Sequence, residues 1–331
     1  MKLLVCFNSD FDLKSLKSFT IGFGEKRIFF KMSNVKSVDE YKFKYKFKFI
    51  AIFIKLIEVT KYTFRLFLSD SILFSTPHPS FRIIKFFRPK VNLILYLRNI
   101  HFFSESQSLS DRLSRVNIKG GLNLLFNNYY ADQYFVSGIV NYKFLLKKGV
   151  LPDLISQVGL HPTALDFSLS IKPNRIVVIS QAWAAHGFIE EYETEKKVIK
   201  DLIVFLQKNF SNSLEIILKL HPREKMEDYR EINCEILTKY VQAGNSDIII
   251  GGLSSFFFEN ASDNFYPIFL VHKSSLKYYF EVLKEFDLPY CDSEEKIYNK
   301  ILSYINNTDN ASKEKNFILS NTVPLKYYHE V

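Results

Sequence analysis

Cysteine is scarce in this chain. Cys6, Cys234 and Cys291 are far apart, odd in number and form no Cys-x-x-Cys. That speaks against a disulfide framework and against a structural zinc site, and it fits a reducing compartment. Long apolar runs are lacking too. The longest, Phe49 to Ile57, is interrupted by Lys55 and falls well short of the roughly 20 residues that span a bilayer. Met1 to Phe7 is apolar only briefly before Asp10 and Asp12, unlike a secretory signal. The expected location is the cytoplasm, in solution or peripheral on the inner face of the membrane. There is no internal repeat, no low-complexity linker and no RNA- or DNA-binding motif, so nucleic acid is the weakest explanation of the net charge of +9.

What the chain does have is length and a core. Its 331 residues suffice for two ordinary domains, and 47% are hydrophobic against 24% charged, the balance of a globular protein. Against a single Trp stand 33 Phe and 19 Tyr. With abundant Lys, Asn and Ile this looks like AT-rich coding, so individual Phe and Lys residues carry little weight. The same bias accounts blandly for the basic charge. Its functional readings are an anionic donor or an anionic membrane surface.

Strands are expected at Lys2 to Phe7, Arg27 to Lys31, Ser71 to Ser75, Val91 to Leu97 and Asp132 to Val136. A helix from Asn141 to Lys148 stops at Gly149. The segment from Asp39 to Leu68 reads as helix, although Lys42, Lys44, Lys46 and Lys48 alternate with aromatics as a strand would. A connector falls between Gly159 and Asn174, marked by His161-Pro162 and Lys172-Pro173. Beyond it strands and helices alternate: strands at Arg175 to Ser180, Leu214 to Leu220, Asp247 to Ile250 and Pro267 to Val271; helices at Glu191 to Asn209, Met226 to Tyr240, Ser254 to Ala261 and Glu294 to Ile305. Such alternation implies parallel, doubly wound sheets. The expected architecture is α/β, two Rossmann-like domains facing a cleft: residues 1–160 on the acceptor side and 161–331 binding the nucleotide donor. Ligands in such sheets bind beyond the carboxyl ends of the strands.

Three segments sit there. Lys219-Leu220-His221-Pro222-Arg223-Glu224 follows a strand and is expected to open a helix, with Pro222 in its first turn. A helix start suits phosphate, and His221 can donate to a phosphate oxygen. Gly251-Gly252-Leu253-Ser254-Ser255 is a second strand-to-helix turn. Its glycines permit close backbone approach and its serines can cap the helix or bind phosphate. Glu259, one turn on from Ser255, can accept both hydroxyls of a ribose. The bland reading is an ordinary Ser cap after a Gly turn. Gln181 and His186 lie in a third loop, Ser180 to Gly187, which can equally be structural.

A His-Pro pair after one strand and a Ser-Ser pair after the next resemble the two motifs of bacterial sialyltransferases and polysialyltransferases of the GT-B fold. The matching segments are Lys219 to Glu224 and Ile250 to Glu259. Ala131 to Gly138, with Gly149-Val150 and Val158-Gly159, is similar to the mid-chain of bacterial surface-polysaccharide transferases, a group that includes glycerophosphotransferases. The resemblance spans roughly residues 130 to 260. It implies an inverting glycosyltransferase that takes a sialic-acid-like sugar from a CMP donor, with no metal and no cofactor. It also implies a glycan or lipid-linked oligosaccharide acceptor. His221 and the serines Ser254 and Ser255 would hold the CMP phosphate, and Gln181, Pro222, Arg223, Gly251, Gly252 and Glu259 are the other residues expected to bind the donor. The family's acidic motif, which supplies the base, has no counterpart in the first domain. Glu105 is the best-placed substitute, with His101 and Asp111 nearby, and Lys119-Gly120-Gly121 contains no acid. Two other readings stand beside this one: a transferase of the same architecture using CDP-glycerol or a UDP-sugar, and a non-catalytic polysaccharide-assembly protein at the membrane surface.

Tyr41 to Arg65 carries Lys42, Lys44, Lys46, Lys48, Lys55, Lys61 and Arg65 among Phe, Tyr and Ile, with only Glu58 opposing. A basic aromatic helix suits an anionic membrane, each basic residue contributing about 1 kcal/mol near the surface. The bland alternative is ordinary core with a solvated lysine rim. Co-sedimentation is expected to show binding to anionic but not neutral vesicles, weakened by salt and by changing the four alternating lysines to Gln. Equal recovery in the supernatant with both vesicle types at low salt makes the segment core and rim.

Overall fold

A computed structural model describes residues 2–7, 16–17, 20, 26–31, 57, 60, 63–64, 66–75, 79–97, 129–159, 173–181, 183, 188–222, 224–238, 247–260 and 265–322. The chain divides into two compact units. Met1–Ile100 and Glu105–Leu160 form most of the first, and His161–Pro324 most of the second. Each is an α/β unit built on one parallel sheet.

The first sheet comprises β1 (Lys2–Phe7), β2 (Lys26–Lys31), β3 (Ser71–Phe74), β4 (Asn92–Leu97), β5 (Gln133–Val136) and β6 (Ile155–Gln157). Its order is β2-β1-β3-β4-β5-β6, with every pair parallel. Continuous runs such as SILF and NLILYL are buried along almost their whole length, as a sheet covered on both faces requires. The helix expected near Asn141 runs as α2, Ile139–Lys147. It ends in a Schellman closure: Gly149 has φ +82, and the Gly149 and Val150 N–H groups donate to Leu146 and Leu145 O at 2.9 and 3.1 Å. The preceding helix α1, Pro79–Phe87, was not expected from the sequence. It opens on a proline, which a helix accepts in its first turn, and its Phe81 stacks on Phe74 of β3 at 4.1 Å. The helix expected across Asp39 to Leu68 lies almost entirely outside the described residues.

The second sheet holds β7 (Arg175–Ile179), β8 (Glu215–Lys219), β9 (Glu235–Leu237), β10 (Asp247–Gly251) and β11 (Tyr266–Phe269). The order is β11-β10-β7-β8-β9, again all parallel. The helices are α3 (Ile189–Phe210), α4 (Ser255–Glu259), α5 (Leu276–Glu285), α6 (Glu294–Ile305) and α7 (Ser312–Ser320). One apolar cluster joins α3 (Ile199, Leu202, Leu206), the sheet (Ile176, Leu218, Ile248, Ile268) and α6 (Ile301). Pro267, which has no N–H, sits in edge strand β11, where its missing donor costs nothing in the ladder. Its carbonyl accepts from Tyr304 Oη at 3.0 Å.

One expectation is overturned. The helix expected from Met226 to Tyr240 is not formed by its described residues, Met226 to Thr238. A single 3-10 turn covers Met226–Tyr229 and the chain then becomes β9. Ile232, Cys234 and Ile236 all pack on the core, a period of two, while Glu235 between them is exposed. That alternation is a strand signal. It lets β9 pair with Ile217, Leu218 and Lys219 and cover the edge of β8.

At the amino ends of β7 and β10, Arg175 meets Asp247 in a two-pronged pair, Nε to Oδ1 at 2.6 Å and an Nη to Oδ2 at 2.7 Å. Asp247 is 1% exposed. Removing one partner of a buried pair typically costs about 3–5 kcal/mol because the other charge is stranded. Arg175→Met is therefore expected to lower stability by roughly that amount in urea unfolding at neutral pH. A loss below about 1 kcal/mol, the range of exposed pairs, places Asp247 in solvent rather than in the sheet.

Candidate functional site

In the second sheet the chain winds from β7 outward to β8 and β9, then returns to the other side of β7 for β10 and β11. The direction reverses between β7 and β10. Loops leaving two such strands part in opposite directions and open a crevice beyond their carboxyl ends, the place where open α/β sheets bind ligands. The segments at that end are Ser180-Gln181 after β7, Leu220-His221-Pro222 after β8, Gly251 to Ser254 at β10 and His272 after β11. Gln181, His221, Pro222, Gly251, Gly252 and Ser254 are thus brought to one edge of one sheet. Arg223 and His186 lie outside the described residues. So do Glu105, His101, Asp111 and Lys119-Gly120-Gly121.

Gly251 and Gly252 have a packing reason. A Cβ on Gly251 would stand 2.2 Å from Ile179 Cγ1, and one on Gly252 would stand 1.7 Å from Gln181 Nε2. A side chain at Gly251 would have to displace Ile179, and one at Gly252 would have to displace the Gln181 amide. Gln181 is fixed in turn, since its Oε1 accepts from Tyr279 Oη of α5 at 2.6 Å and its N–H donates to Glu195 at 3.0 Å. The second Glu195 oxygen accepts from Trp183 Nε1 at 3.2 Å. Burial pushes the Glu195 carboxyl up to about 8 against these two donors.

The turn after β8 corrects the expected phosphate-binding helix start. No helix opens at His221-Pro222, so the loop offers no aligned helix dipole. The Ser180 hydroxyl donates to the Glu224 carboxyl and accepts the His221 N–H at 2.9 Å. The Glu224 N–H closes the turn onto His221 O at 2.9 Å. Burial raises Glu224 to about 7, opposed by the hydrogen bonds from Ser180 and His221. Lys219 is buried beside it, donates to Leu220 O, and has its pKa lowered by burial.

Ser254 is the N-cap of α4, its Oγ accepting the Phe256 N–H at 3.3 Å. The bland capping role is therefore present. Helix α4 places Ser255 and Glu259 one turn apart, and their side chains lie outside what is described. Three residues escaped sequence reasoning as site members: Glu195, Tyr279 and His272. Glu195 looks like one more helix carboxylate, Tyr279 sits on a helix that was not expected, and His272 lies alone between a strand and that helix. Glu224 stood in the quoted motif without a role. Among the described residues no group of three or more His, Cys, Asp or Glu is placed to hold a metal ion.

No sequence-family model matches the chain, and no curated protein matches it. Solved structures do match its fold. UDP-GlcNAc 2-epimerase from Neisseria meningitidis, bound to UDP-GlcNAc, aligns with a TM-score of 0.60 at 10% identity over 100% of this chain and 98% of its own. HepE from Anabaena in complex with UDP-glucose aligns at 0.55 and 12% over 100% and 97%. UDP-GlcNAc 2-epimerase from Methanocaldococcus jannaschii, with UDP-GlcNAc and UDP, aligns at 0.53 and 9% over 96% and 98%. At these identities the likeness shows the fold: two parallel-sheet α/β domains of the GT-B-like kind.

Glu224 makes a pH prediction. Its raised carboxyl holds a proton in the folded chain that the unfolded chain releases near the ordinary pKa of about 4.3. The stabilisation is complete below that value and is lost as pH rises through about 7. Glu224→Gln mimics the protonated form. The variant is expected to show a shallower fall of Tm than the parent between pH 5 and 8, the curves converging at the acid end. Parallel curves assign the slope to other groups.

Proposed function

We propose that this protein is a nucleotide-sugar enzyme whose second domain binds a UDP-sugar at the crevice between β7 and β10, and that it is a glycosyltransferase. The observation that carries this is the gathering of Gln181, His221, Gly251, Gly252 and Ser254 at the one reversal of strand order in that sheet. The fold likeness supports the choice of donor, because the matching epimerases and HepE are complexes with UDP or UDP-sugars. The CMP donor implied by the sialyltransferase resemblance finds no counterpart among them. It is kept as a second reading on the His221-Pro222 and Ser254-Ser255 pairs alone.

Transfer asks little covalent work of the protein. The sugar–phosphate bond breaks, negative charge collects on the departing diphosphate, and donors already in place stabilise it. His221 is the side chain assigned to that charge, on a turn that Ser180 and Glu224 hold rigid. Gly251 and Gly252 shape the turn at the end of β10, packed against Ile179 and the Gln181 amide. Glu259 takes the ribose hydroxyls. The acceptor, a glycan or lipid-linked oligosaccharide, and the base that deprotonates it, for which Glu105 is the candidate, are assigned to the first domain. Among the described residues no helix is long and apolar enough to cross a membrane. Work at a membrane surface accordingly rests on the basic Tyr41 to Arg65 segment.

Thermal shift with UDP, UDP-sugars, CMP and CDP-glycerol tests the donor. A ligand at 100 times its Kd stabilises by about 2.7 kcal/mol, so UDP is expected to raise Tm by several degrees and CMP to leave it unchanged. His221→Ala is expected to slow transfer about 100- to 1,000-fold with little change in Tm, the usual cost of losing one preorganised donor. A shift with CMP alone reinstates the sialyltransferase reading. No shift with any nucleotide leaves the non-catalytic assembly protein.

A further inference from the structure

The parallel ladder around β8 runs out at Leu220. The Ser180 N–H still donates to Lys219 O at 3.1 Å and the Leu220 N–H to Leu237 O at 2.9 Å, but the next N–H, on His221, turns to side chains instead. A backbone donor at a strand end needs some partner. This one meets the Ser180 hydroxyl at 2.9 Å and the Glu224 carboxyl at 3.3 Å. Ser180 is 3% exposed, and its hydroxyl is oriented to accept because its own hydrogen goes to the same carboxyl oxygen. Glu224 therefore sets the Ser180 hydroxyl as well as meeting His221 directly.

The other backbone group of His221 is held from the same residue. Its carbonyl accepts the Glu224 N–H at 2.9 Å. Pro222 adds a covalent restriction, because the residue before a proline is pushed to extended backbone. The backbone of His221 is thus fixed at its N–H, at its C=O and in its own torsions. Pro222, Lys225 and Met226 around it are exposed. A side chain that must stand in one place is carried on backbone held in this way. Burial raises the Glu224 carboxyl to about 7, so both of its forms are present near neutral pH. With a proton on Oε1, Oε2 still accepts the same two hydrogens.

We propose that Glu224 is the positioning residue of His221: directly and through Ser180, it fixes the backbone that carries the charge-stabilising imidazole. What His221 does rests on the transferase reading above, while the hold of Glu224 on His221 follows from the hydrogen bonds. Glu224 touches no reacting atom in this scheme. Its effect passes through His221, which separates it from a cap whose loss only softens the fold.

The test uses the whole chain with a UDP-sugar donor, and Tm is recorded for every variant. Misplacing a catalytic group by about 1 Å can cost about 100-fold, so Glu224→Ala is expected to lower kcat about 10- to 100-fold. Glu224→Gln, whose amide oxygen takes the same two hydrogens with a weaker, uncharged bond, is expected to stay within about three-fold of the parent. In a His221→Ala background, Glu224→Ala is expected to cost less than about three-fold more, because residues that act as a unit are not additive. A loss as large without His221 as with it makes the carboxyl a general support and overturns the proposal. So does an unchanged kcat in Glu224→Ala, or a Glu224→Gln as slow as Glu224→Ala. Should Glu224→Ala fail to fold, the same cycle is run with Ser180→Ala and read by the same criterion. If the parent turns over no nucleotide sugar, the transferase reading falls, and NMR of the free protein decides on Glu224. His221 ring signals, assigned by their loss in His221→Ala, that move in Glu224→Ala and stay in Glu224→Gln uphold its hold on His221. Signals unmoved by the first variant, or moved as far by the second, overturn it.

Discussion

The close approach of β10 to β7 governs the second domain. Where Gly251 passes Ile179 and Gly252 passes Gln181 there is no room for a Cβ. Register alone does not demand this, since parallel neighbours about 4.8 Å apart normally accommodate side chains on both faces. The demand arises because the chain turns sharply at the end of β10, through Gly251 to Ser254, into α4. A side chain at either glycine displaces Ile179 or the Gln181 amide. It would thereby loosen the contact to Tyr279 that ties α5 to the sheet.

A second constraint is polar and buried. Ser180 links the end of β7 to the turn after β8 by taking the His221 N–H and donating to Glu224. Glu195 takes the backbone and indole N–H groups of the next loop. Both carboxyls are raised by burial, to about 7 and about 8, so the network is held near the point where a proton or an incoming ligand changes its charge. Side chains in low dielectric feel such a change strongly. Loops held rigidly by these buried carboxyls are what the described residues place at this end of the sheet.

The sequence disclosed the strands well because parallel sheets covered on both faces leave near-continuous apolar runs. NLILYL in β4, RIVVI in β7 and DIIIG in β10 are legible on sight. It disclosed the long helices α3 and α6 through their period. It failed where a short element is fixed by tertiary contact. The β9 strand has three residues, and the alternation of Ile232, Cys234 and Ile236 is too short to stand out until β8 supplies a partner. Helix α1 opens on proline, and α5 lies between two segments of mixed composition. The site was half legible. Gly251-Gly252 and His221-Pro222 stand out because turn residues follow clear strands. Glu195, Tyr279 and His272 do not, since their roles come from where the fold places them. The helix dipole assigned to His221 fell with the helix that was to carry it.

A structure of the protein with UDP bound tests the central claim most directly. Nucleotide density is expected beyond the carboxyl ends of β7 and β10, with the ribose toward Glu259 and the diphosphate toward His221. Nucleotide at the first sheet, or none in either domain at saturating UDP, would contradict the account.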